Sequence, residues 1–250
     1  MRRRLALGVV FGGSLVSMTN VAHAYRRRTV DDLPEGAPLF WERRTIEFRD
    51  EFTTIPNVET GAARLALEAS LATWSHAGDC TDIVMTHSGQ ADASRTNLSG
   101  GAPDMENRVV FRTSDWPLRV GPQVLAVTTQ VYRRASGEIV DADIDINAVN
   151  HPWSALTLRA GTNDIENTLT HEFGHVLGFA HSEMREATMF AEADLGETLK
   201  RDLATDDVDA VCTVYPPRPT STCAASGRSS FGWMGWLAIA WLSQRRQRGC

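Results

Sequence analysis

His171-Glu172-Phe173-Gly174-His175-Val176-Leu177-Gly178-Phe179-Ala180-His181 places three imidazoles and a carboxylate in one short stretch. On a helix, His171 and His175 share a face one turn apart, and both rings can reach a single ion at about 2.0–2.1 Å. Glu172 sits beside the first ligand. There its carboxylate can hydrogen-bond a water at the ion without binding the metal, which is the position a general base needs. Gly178 lets the chain leave the helix sharply, so that His181 can return as a third ligand. Three neutral nitrogen donors leave a fourth position open, the arrangement of a catalytic rather than a structural zinc site. With this composition, the full His-Glu-x-x-His-x-x-Gly-x-x-His spacing arises by chance in roughly one chain in forty thousand; His-Glu-x-x-His alone does so in about one in a hundred. His23, His76, His87 and His151 lie outside any such spacing and read as ordinary surface or core residues.

Working outward, Asn163 followed by Glu166 is a capping pattern, and Ile165, Leu169, Phe173 and Val176 recur at helical spacing up to Gly178. A further helix is expected over 206–214, stopped by Pro216. Upstream, strands are expected at 45–49, 82–87, 108–112, 124–132 and 138–147. An alanine- and leucine-rich helix is expected over 58–76, and a Gly/Ser/Asn-rich loop over 88–107. This order of elements predicts an α+β domain spanning 38–217.

The zinc stretch resembles the metzincin metalloproteases, and within them the matrixin-like group. His181-Ser182, followed by Ala187, Met189 and Phe190, is similar to the matrixin pattern around its methionine turn, which makes Met189 the candidate Met-turn residue. Thr86–Asp92 and Asp206-Asp207-Val208 through Tyr215 extend the likeness over about 40–216. The resemblance implies a twisted, mostly parallel sheet with an antiparallel edge strand, an active-site helix and a C-terminal helix. It also implies a zinc endopeptidase whose peptide substrate lies extended along the edge strand at 124–132. Ala191 stands where a proline often follows the aromatic residue, so the outer wall of the specificity pocket does not carry over. No cysteine precedes the domain to act as a latency switch, and no residue set suggests a second, structural zinc.

Asp141, Asp143 and Asp145 alternate along one face of a strand whose other face carries Ala142, Ile144 and Ile146. Such a row could hold calcium, which the matrixin likeness also implies, or could be the wet face of a sheet. Residues 38–216 contain 28 of the 31 acids and 14 of the 25 lysines and arginines, a net charge of −14. That balance argues against nucleic acid as a partner, and Asp and Glu next to the substrate groove would bias it toward basic substrates. A monomer acting on proteins or peptides is the expected state. Cys80 and Cys212 are the natural disulfide pair in an oxidising compartment, with two buried thiols as the alternative.

The two ends read as addresses. Residues 1–24 combine Arg2–Arg4, a short apolar run and Ala22-His23-Ala24, as in a secretory signal peptide; the run is short for a membrane anchor. Residues 25–37 read as a short linker. At the other end, 218–230 is a Pro/Ser/Thr linker, and 231–250 joins an apolar helix to Arg245, Arg246 and Arg248. With Cys223 as the processing point, this resembles MYXO-CTERM sorting tails and implies an exported protein, extracellular or attached to the cell surface through a transmembrane helix. The alternative is an amphipathic or poorly ordered tail. The functional rival to the protease is a non-catalytic, zinc-stabilised surface binding module, which would have no use for Glu172.

Overall fold

The computed structural model describes residues 25–92, 95–100 and 103–219. Residues 1–24, expected to be a signal peptide, Cys223 and the 231–250 tail lie outside the described residues. Among those described, no helix is long and apolar enough to cross a membrane.

In chain order the elements are β1 (Arg26–Arg27), β2 (Thr45–Glu51), α1 (Thr60–Ser75), β3 (Val84–Gln90), β4 (Asn107–Arg112), β5 (Ala126–Tyr132) and β6 (Ile139–Asn147). They continue with β7 (Trp153–Ser154), β8 (Asn163–Asp164), α2 (Ile165–Val176), β9 (Phe179–Ala180) and α3 (Thr205–Val214). The main sheet has the order β3-β2-β4-β6-β5. Pairings β2–β3, β2–β4 and β4–β6 are parallel, and β5 closes one edge antiparallel to β6. The expected α+β architecture is therefore present. Strand β3 runs on to Gln90 through Gly89, whose φ of 105° is open to glycine. The ladder shifts register opposite, between Phe48 and Asp50.

The core lies between this sheet and two packed helices. On α1, Ala63, Ala66, Leu67, Ser70, Leu71 and Trp74 are buried, a stripe at i, i+3, i+4, i+7, i+8 and i+11. Small residues on that stripe admit α2 closely enough for direct ties: Ser70 Oγ donates to the Glu166 carbonyl at 3.2 Å and Trp74 Nε1 to the Thr170 carbonyl at 2.8 Å. On the sheet side, Phe48 meets Phe173 edge-on at 5.0 Å between centroids. Cys80 and Cys212 form the expected disulfide across 132 residues, with Cα atoms 5.1 Å apart.

Three sequence expectations need correction. Residues 25–37 are no linker: Arg26 and Arg27 pair with Ala180 and Phe179, Arg28 N donates to the Gly178 carbonyl at 2.8 Å, and Val30 joins the core. Backbone hydrogen bonds hold this basic stretch in place, and they leave no periodicity in the sequence. The α2 N-cap is Asp164, not Asn163: its carboxylate accepts from Asn167 N at 2.8 Å, while Glu166 pairs with Arg201. The face of β6 carrying Asp141, Asp143 and Asp145 is buried, not wet. It lies beneath the 96–97 turn, whose Asn97 N donates to Asp143 at 2.7 Å and whose Asn97 Nδ2 donates to Asp141 at 3.1 Å. Asp145 accepts from Arg112 Nε at 2.6 Å and from Thr96 Oγ1 at 2.9 Å.

Candidate active site

Helix α2 presents His171, Glu172 and His175 toward the cleft, and its end is held by side chains from distant parts of the chain. Trp41 Nε1 donates to the Val176 carbonyl at 2.9 Å and Tyr215 Oη to that of Leu177 at 2.7 Å, so carbonyls that a helix terminus leaves unpaired are satisfied. The chain then turns at Gly178, with φ 88° and no room for a Cβ, which would lie 2.5 Å from the Leu39 carbonyl oxygen. This tight exit returns His181 to the helix face.

His171 Nδ1 donates to the Thr188 carbonyl at 2.7 Å and His175 Nδ1 to the Phe179 carbonyl at 2.8 Å. A carbonyl can only accept, so both neutral rings carry their proton on Nδ1 and present the Nε2 lone pair. His175 Nε2 lies 3.1 Å from His181 Nε2, close to the roughly 3.3 Å edge of a tetrahedron with about 2.05 Å metal–nitrogen bonds. One ligand atom from each of the three histidines lies within 4.8 Å of the others. Burial holds the rings neutral: it pushes His171 well below the usual imidazole range, His175 down to about 4, and His181 down as well. A neutral set of nitrogen donors with tautomers fixed from behind suits zinc.

Glu172 is 6% exposed, and burial raises its carboxyl to about 7. Thr128 Oγ1, reaching across from β5, donates to its Oε2 at 2.6 Å. Met189 lies directly beneath: a Cβ placed on Gly174 would fall 2.1 Å from its Sδ. The methionine turn is clamped by Asp207, which accepts from Thr188 N at 2.7 Å and Met189 N at 3.1 Å. His171, Glu172, His175 and His181 line a cleft of about 830 Å³ together with 123–128 and Lys200.

Sequence reading thus located the histidines, Glu172, Met189 and the disulfide, and the structure brings the first five together. It gave no signal for Thr128, Asp207 or Lys200, single polar residues whose roles depend on tertiary approach. For calcium at Asp141, Asp143 and Asp145 the donor set fits poorly. Asp143 accepts two backbone N–H groups and Asp145 a guanidinium and a hydroxyl, and only Asp141 Oδ1 is left without a hydrogen bond, whereas calcium takes six to eight oxygens.

Comparison with known proteins agrees with this geometry. Residues 113–216 match the matrixin family. The chain is 28% identical over 180 residues to human matrix metalloproteinase-20, covering 71% of this chain and 32% of that protein. It is 25% identical over 193 residues to human neutrophil collagenase, covering 75% and 37%. With metalloendoproteinase 5-MMP of Arabidopsis thaliana it shares 32% identity over 84 residues, covering 30% and 23%. The matched parts span between about a quarter and somewhat over a third of these relatives. Together, the matrixin match over the histidine segment, these relatives and the α+β fold support a metzincin-like protease.

Proposed function

We propose that the protein is a zinc-dependent endopeptidase, with zinc held by His171, His175 and His181. The observation that carries this reading is the convergence of the His175 and His181 nitrogens at 3.1 Å beside a buried carboxylate in an open cleft. Zinc bound there supplies Lewis acidity to a substrate carbonyl and to water. Glu172, buried beside the histidines, takes a proton from water and passes it to the leaving amine. Thr128 fixes one carboxylate oxygen, leaving the other to face the reacting water. Strand β5 has β6 on one side only, and its other edge offers main-chain groups to an extended peptide.

The non-catalytic binding module is disfavoured because burying Glu172 costs desolvation that a purely structural site has no reason to bear. Glu172→Ala should keep stoichiometric zinc and lose nearly all hydrolysis of casein or gelatin. Substantial chelator-sensitive turnover by that variant would remove Glu172 as the base. We read the aspartate row as an internal hydrogen-bonded staple rather than a calcium site. Export by cleavage after Ala24, and attachment or processing at Cys223, belong to the same proposal; intact-mass measurement of the mature protein tests both.

A further inference from the structure

The cleft floor beside the histidines carries a cation in a domain that is otherwise strongly acidic. Lys200 lines the cleft together with Asn167, Thr168, His171, Glu172 and Glu192, and is only 4% exposed. It is held rigidly: its backbone N donates to Asn167 Oδ1 on α2 at 2.8 Å, and the neighbouring Arg201 pairs with the N-cap Asp164 through Nε at 2.9 Å. An ammonium has three N–H donors. One reaches the Glu192 carbonyl at 2.5 Å, and Glu197 Oε1 is the nearest carboxylate, at a loose 3.5 Å. The charge is therefore desolvated, positioned in advance and incompletely compensated, on the wall of the space next to the proposed scissile bond. Burial pulls its pKa below the usual lysine value, and the nearby carboxylates of Glu197, Glu172 and Asp207 offset this only in part.

We propose that Lys200 is a specificity-determining residue that selects substrates with an acidic side chain flanking the scissile bond. This rests on the endopeptidase reading and deepens it. It also runs against the bias toward basic substrates that acids beside the groove would give: Asp32, Glu172 and Glu192 line the cleft, but so do Arg27 and Arg28, and Lys200 is the cation tied directly to α2. A carboxylate entering the pocket replaces water at the unused N–H of Lys200 and gains a charge-assisted hydrogen bond. A lysine or arginine side chain meets like charge there.

The test uses the purified zinc-loaded protein and quenched fluorescent peptides that differ only at the residues flanking the cleaved bond, carrying Glu, Gln, Leu or Lys. The expected kcat/KM for Glu exceeds that for Lys by at least tenfold, equivalent to about 1.4 kcal/mol. In Lys200→Met the Glu-to-Lys ratio collapses toward one, and Lys200→Arg, which keeps the charge, restores the preference. Thermal melting of each variant confirms folding. A second arm measures binding of the same peptides, uncleaved, to Glu172→Ala by fluorescence anisotropy, where the acidic peptide should bind about tenfold more tightly than the basic one. Cleavage without acidic preference, or a preference unaltered in Lys200→Met, overturns the role of Lys200 and leaves the protease reading intact. Absence of cleavage by the parent protein with acidic preference retained in binding removes the protease reading and leaves Lys200 as the selecting residue.

Discussion

Gly174 lies between the two helical histidines, and replacing it with alanine tests whether Met189 supports the site by contact. In an exposed helix interior the substitution stabilises by about 1 kcal/mol through propensity. Here the new Cβ would fall 2.1 Å from Met189 Sδ and 2.9 Å from Trp74 Cζ2. Ordinary carbon–sulfur contact is near 3.5–4.0 Å, so the methionine would have to retreat by about 1.5 Å. It has little freedom to do so: its N is held by Asp207, its carbonyl accepts from Ser182 N at 2.8 Å, and the Trp74 ring is fixed through Thr170. Overpacking of this kind costs about 1–3 kcal/mol, occasionally more, and the severity of the overlap places it at the upper end. The propensity gain offsets only part, leaving a net loss of about 1–2 kcal/mol, or a melting temperature lower by about 3–6 °C for a domain of this size. Zinc affinity should fall as well, since the preceding residue, Thr188, orients His171. The discriminating assay is a double-mutant cycle with Met189→Ala, read by calorimetry. On that background the sulfur clash is gone, and the cost of Gly174→Ala should shrink by at least about 1 kcal/mol. A Gly174→Ala variant melting within a degree of the parent, or additive effects in the cycle, would refute contact support by Met189.

In metal-free protein the stability contributed by His175 and His171 should be lost as pH falls from about 6.5 to about 4, while Glu172 and Asp143, raised by burial to about 7, act in the opposite sense over the same range. The folded pKa of His175 is depressed to about 4 and that of His171 also lies low, so their neutral forms favour folding above the unfolded value, and this is lost on protonation. Urea denaturation with EDTA of the parent and of His175→Gln at several pH values isolates the histidine part, and parallel profiles for the two across that window would contradict it. Thr128→Val should lower kcat about tenfold or more with little change in KM or zinc content, because it removes the hydrogen bond that fixes Glu172; an unchanged kcat would remove Thr128 from the machinery. Replacing Cys80 and Cys212 by serine should destabilise the domain by about 2–5 kcal/mol, the chain-entropy figure for so long a loop being close to 5. A loss below about 1 kcal/mol in urea titration would show that the crosslink adds little.

What the sequence revealed, and what it hid, separates along physical lines. The spacing of His171, His175 and His181 is a local code: helical geometry and one glycine turn convert it directly into convergence, so the histidine cluster was legible without any tertiary information. The same holds for α1, where the apolar stripe maps onto the buried face. Interactions that close over long sequence distances leave no such code. Residues 25–37 look like a linker because backbone hydrogen bonds to Gly178 and Ala180 do not depend on side-chain pattern. The aspartates of β6 look solvent-facing because alternation reports two faces but not which is covered, and here Thr96, Asn97 and Arg112 cover the second. Thr128 carries no signal until β5 is laid across α2. Lys200 shows the limit most clearly: summed charge described an acidic domain, while folding brings Arg27, Arg28 and, against α2, Lys200 to the cleft. Chemistry encoded by spacing within one element survives reading in one dimension, whereas selectivity set by what folding brings to the cleft wall does not. The protease reading and the role of Lys200 therefore call for separate experiments.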